Sequence, residues 1–83
     1  MKTYFMVSER IKPTWIYEMV NKANEYEHCQ IFLECNTLKL NAKSHLSMSL
    51  LNGMHGICCV SAQGENSRNA IEALRSLGTG LLP

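Results

Sequence analysis

Ser44, three histidines (His28, His45, His55) and four cysteines (Cys29, Cys35, Cys58, Cys59) are the side chains of this 83-residue chain whose setting bears most on chemistry. Ser44 stands where the alternating stretch Leu38-Lys39-Leu40-Asn41 gives way to a short helical run that Asn52-Gly53 can stop. A serine there can cap the helix by accepting a hydrogen bond from a first-turn amide that lacks an intrahelical partner. It can also be a regulatory site. A phosphate at that point would sit at the positive end of the helix dipole, so one modification could create a stable new surface. Both roles stand open from the residues alone.

The histidines read as partly exposed polar residues. His28 lies near the end of the first helix, where the dipole favours it, His45 follows Ser44 directly, and His55 occupies a turn beside Gly56. Cys29 and Cys35 fall on the same side of an apparent strand as Ile31 and Leu33, which makes them core residues. Cys58 and Cys59 are neighbours in another strand and must point to opposite faces. No spacing is a CxxC and no histidine falls at a metal-ligand interval. The expectation is reduced thiols, no metal and no cofactor.

The elements that must position these residues follow in chain order. Thr3–Ser8 alternates as a first strand, Glu9–Thr14 is a loop, and Thr14 is a candidate helix cap. Trp15, Ile16, Met19, Val20 and Ala23 recur at helical spacing as core packing, with Glu18 and Lys22 paired outside. Cys29–Glu34 and Leu38–Asn41 are strands joined by a tight Asn36-Thr37 turn. After the Ser44 helix and a turn at Met54-His55-Gly56, Ile57–Ala62 is the fourth strand. Asn66 or Ser67 caps a last helix with Ala70, Ile71, Leu74 and Leu77 as its apolar stripe, and Gly78 and Gly80 let the chain unravel. The order βαββαβα predicts one domain over residues 1–83, a two-layer α+β sandwich with every helix on one side of the sheet. Its core should contain Phe5, Val7, Ile16, Val20, Ile31, Leu33, Val60, Ile71 and Leu74.

Composition narrows the function classes. With 46% hydrophobic and 18% charged residues the chain reads as globular, not disordered. A net charge of +1 without a basic stripe does not favour nucleic acid, and no apolar run reaches the length of a membrane span. The opening residues lack a signal-peptide pattern, so a cytoplasmic protein is expected. No glycine-rich phosphate loop and no paired-carboxylate site points to an enzyme.

Taken in order, the Leu33-Glu34 strand end, Asn41-Ala42-Lys43-Ser44 leading into a short helix, and Ser61-Ala62-Gln63-Gly64 followed by Ala70 resemble the histidine-containing phosphocarrier (HPr) family of the bacterial phosphotransferase system. The resemblance covers nearly the whole chain. It implies an open-faced sandwich with an antiparallel sheet of order 1-4-2-3 and three helices on one face. In that family the loop before the first helix carries a Gly-hydrophobic-His-Ala-Arg-Pro pattern, whose histidine takes phosphate from enzyme I. Here the loop reads Arg10-Ile11-Lys12-Pro13-Thr14-Trp15, with Lys12 in place of the histidine and Thr14 in place of the arginine. No histidine lies anywhere in Glu9–Trp15.

Ser44 matches the serine that HPr kinase/phosphorylase modifies, with Asn41 and Lys43 as its usual surroundings. Relatives that lack the histidine but keep this serine act as regulators of catabolite repression. The resemblance therefore implies a non-enzymatic interaction protein, with Ser44 as the candidate site for a phosphorylation switch. Its partner-binding residues would be Lys12, Thr14, Lys43, His45, Leu46 and Ser49, with Leu46 as the main apolar contact. HPr kinase/phosphorylase or a transcriptional regulator would be the partner, with neither nucleic acid nor membrane involved. The alternatives are a phosphotransfer component that uses another residue, and an unrelated small-ligand domain on the same fold.

Overall fold

The computed structural model describes residues 1–80. Four strands and three helices follow in the order β1 (Lys2–Val7), α1 (Pro13–Asn24), β2 (Cys29–Cys35), β3 (Leu38–Asn41), α2 (His45–Met48), β4 (Gly56–Gly64) and α3 (Ser67–Gly80). A 3-10 turn at Ser49–Leu51 extends α2. The sheet is antiparallel throughout, in the order β1-β4-β2-β3. This is the expected α+β architecture and strand order.

Alternation along the strands produces the two faces. In β2, Cys29, Ile31, Leu33 and Cys35 are buried, and the register sets Ile31 opposite Ala62, Leu33 opposite Val60 and Cys35 opposite Cys58. The helices cover this face with Trp15, Ile16, Met19, Val20 and Ala23 from α1, Met48 from α2, and Ala70, Ile71 and Leu74 from α3. All nine expected core residues belong to this cluster. On the opposite face Tyr4, Met6 and Ile57 are exposed.

Several local expectations need correction. Helix α1 starts at Pro13 with Lys12 as its cap residue, so Thr14 lies inside the first turn and caps nothing. Proline fits the first helical position because its backbone torsion is preset and it has no N–H to satisfy. The chain enters from a pinned loop: Ile11 N–H donates to the Met54 carbonyl at 2.8 Å, and Gly53 N–H donates to the Ile11 carbonyl at 2.8 Å. Helix α1 ends at Asn24, so His28 sits at the entry to β2 and not at the helix end. Lys22 pairs with Glu25 at 3.3 Å instead of with Glu18.

Helix α3 does not unravel at Gly78. Trp15 Nε1 donates to the Gly78 carbonyl at 3.1 Å, and a Cβ at Gly78 would come within 2.9 Å of the Phe5 ring. Glycine therefore serves here as the space that lets α3 lie against Phe5. The helix continues because tertiary contact outweighs glycine's poor helix propensity.

Candidate functional site

The site builds outward from the turn that follows β3. Asn41 organises it: its side-chain Oδ1 accepts the Lys43 N–H at 3.0 Å and its carbonyl accepts the Ser44 N–H at 3.1 Å. Asn24 Nδ2, at the end of α1, donates to the Lys43 carbonyl at 3.1 Å and to the Val20 carbonyl at 2.9 Å. The turn is thereby tied to the first helix. Ser44, half-buried and in an extended conformation, then caps α2 through its Oγ, which accepts the Ser47 N–H at 3.2 Å.

Helix α2 is shorter than the sequence suggests. It has four residues before the 3-10 turn takes over. Ser49 Oγ donates back to the Leu46 carbonyl at 2.6 Å, a competing bond of the kind that weakens regular helix. One turn gives only a small dipole. For a charge at Ser44 there remain the amides of this single first turn, of which the hydroxyl already engages that of Ser47. Lys43 lends less than its position implies, because its Nζ donates to the Tyr26 carbonyl at 2.6 Å.

Beyond Ser44 the surface turns apolar. Leu46 is 85% exposed, and Leu50 and Tyr17 are 59% and 58% exposed. The Tyr17 and His45 rings lie 5.6 Å apart, which joins α1 to α2 on this side. Lys12, Thr14, His45 and Ser49 are also exposed. Tyr17 and Leu50 were not among the expected contact residues. Tyr17 falls outside the α1 stripe of Trp15, Ile16, Met19, Val20 and Ala23, a spacing that turns it outward, whereas the exposure of Leu50 beside buried Leu51 follows from the 3-10 turn.

The loop before α1 carries no histidine, and Lys12 makes no side-chain cap bond. Arg10 Nη1 donates to the Gly53 carbonyl at 3.0 Å, adding a third tie between this loop and residues 53–54. That stitching brings exposed His55, next to Met54, up to the same loop. His28 is exposed at the other end of β2. Among the described residues no group of three or more His, Cys, Asp or Glu is arranged to hold a metal, and no helix is long and apolar enough to cross a membrane.

Residues 16–79 match the family described as PTS HPr component phosphorylation site. No curated protein sequence matches the chain. Among solved structures it superposes on the histidine-containing phosphocarrier protein of a Mycoplasma with a TM-score of 0.84, over 98% of this chain and 94% of that one, at 15% identity. The phosphocarrier protein HPr of Bacillus anthracis gives a TM-score of 0.79 over 93% and 94% at 25% identity. The catabolite repression containing protein Crh of Bacillus subtilis gives 0.71 over 90% and 86% at 28% identity.

Proposed function

The chain belongs to the HPr family of the phosphotransferase system, and we propose that within it the protein is a non-enzymatic interaction protein whose regulatory phosphate enters at Ser44. The carrying observation is Leu46, 85% exposed and two residues beyond the serine that caps its helix. Exposed Leu46, Leu50 and Tyr17, the last against the His45 ring, together with the exposed polar residues Lys12, Thr14, His45 and Ser49, have the composition of a protein-docking face.

Two further observations support the reading. A lysine ammonium offers only donors and no free lone pair, so Lys12 is a poor phosphoryl acceptor where the family's histidine acts. The likeness to Crh, which is named for catabolite repression, favours a regulatory role in the same field. A phosphate on Ser44 would add charge beside Leu46 and His45. With Lys43 turned to the Tyr26 carbonyl, that charge is left for a cationic group on the partner. The partner would be HPr kinase/phosphorylase during modification, and a transcriptional regulator in the response.

A second reading keeps phosphotransfer, with His55 as acceptor. It is favoured by the hydrogen bonds that hold residues 53–54 against Ile11 and Arg10. Incubation with enzyme I and labelled phosphoenolpyruvate separates the two. The interaction protein takes up no acid-labile label while ordinary HPr is labelled in parallel. Stoichiometric label that His55→Ala abolishes would establish the carrier.

A further inference from the structure

We infer that Cys35 and Cys58 are a redox-responsive pair, a dithiol built to close as a cross-strand disulfide between β2 and β4. The two residues are register partners on the core face of the sheet. Cys58 Sγ–H donates to Cys35 Sγ at 3.0 Å, within about 1 Å of a disulfide's bond length. Facing residues in an antiparallel pair have Cα atoms about 4.5 or 5.5 Å apart, and both separations fall within the range of about 4.4–6.8 Å seen in disulfides. Closure therefore needs side-chain rotation and no change of register.

No other pairing of the four cysteines shares this geometry. Cys59 follows Cys58 but points to the opposite face, where its register partners are Tyr4 and Glu34. Cys29 lies at the far end of β2, opposite Gly64.

Both thiols of the pair are fully buried. Burial, reinforced by the Cys35 thiol beside it, pushes the Cys58 thiol well above its ordinary range. The closed sheet thus protects the pair, because the thiolate is the reacting form. Access comes by opening at the end of the sheet. Cys35 is the last residue of β2, next to Asn36 at φ 58°, and Cys58 lies two residues after Gly56 at φ 126°, where β4 begins.

The oxidant is a peroxide. One sulfur attacks the peroxide, forming S–O as O–O breaks, and hydroxide leaves as water with the thiol proton. The second sulfur then attacks the sulfenic sulfur, S–S forms, S–O breaks, and a second water leaves. Two thiols lose two electrons in all, and one peroxide becomes two waters. The bond encloses residues 36–57, which carry β3, α2 and exposed Leu46, and so ties both ends of that segment together.

The test treats the folded wild-type protein with hydrogen peroxide, alkylates it under denaturing conditions without reduction, and maps the peptides. The expected product has lost two hydrogens, links Cys35 to Cys58, melts higher by roughly 10 °C, and reverts with dithiothreitol. Cys29→Ser and Cys59→Ser should give the same product. Four alkylatable thiols after treatment, a bridge through Cys29 or Cys59, or dimers linked between chains would overturn the inference.

Discussion

The rings of Tyr17 and His45 lie 5.6 Å apart and are inclined by 33°, so an exposed residue of α1 packs against the first residue of α2. The two helices thereby present one surface, with Leu46 and Leu50 beside it. Since Leu46 is almost fully exposed, Leu46→Glu should change stability by no more than about 0.5 kcal/mol. If the surface is a docking face, the same change should slow phosphorylation of Ser44 by HPr kinase about 10-fold or more. Urea melts and initial labelling rates on the same preparations check both halves.

Gly64→Ala should be among the most damaging single changes. At φ 117° the position suits only glycine, and an added Cβ would overlap the His28 carbonyl, which is backbone and cannot yield. A loss of about 3 kcal/mol or more is expected from urea denaturation. Gly53→Ala, with φ 83° but open space around it, should cost clearly less.

The sheet and its core were legible because strand alternation and the apolar stripes of α1 and α3 state the burial pattern directly, as Ile31, Leu33, Ile71 and Leu74 illustrate. The ends of elements were not. Thr14 looks like a cap by residue type, but Pro13 and the bonds that pin Ile11 to Met54 and Gly53 fix the start of the helix earlier. Gly78 looks like a stop, yet contacts with Phe5 and Trp15 from far away in sequence hold it in α3. At the site, the Ser44 cap could be read from the sequence. The exposure of Leu50, and the engagement of Lys43 by Tyr26, depend on how the helices are oriented.

Core truncation should follow the usual cost of a cavity. Leu74→Ala and Ile31→Ala remove side chains that are buried in the centre of the cluster, and each should lose about 2–5 kcal/mol. The shift in urea midpoint at unchanged slope gives the value.

Alkaline pH should weaken the fold through Cys58. Its thiol is raised in the native state, first by burial and then by Cys35, so above the ordinary thiol range the unfolded chain gives up a proton that the native chain keeps. This contribution is intact below about pH 8.5 and is lost as pH rises, by up to about 1.4 kcal/mol per pH unit. Cys58→Ala should flatten that part of the slope between pH 8.5 and 10 in urea melts under reducing conditions.

Mapping where phosphate enters the chain tests the central claim most directly. The protein is incubated with ATP and HPr kinase in one tube and with phosphoenolpyruvate and enzyme I in another, with ordinary HPr included in each. The prediction is acid-stable phosphate on Ser44 from ATP and none from phosphoenolpyruvate. The label should disappear in Ser44→Ala, which keeps its fold at a cost of about 0.5–2 kcal/mol for the lost cap. Acid-labile phosphate on a histidine, or an unlabelled Ser44 beside labelled HPr, would contradict it.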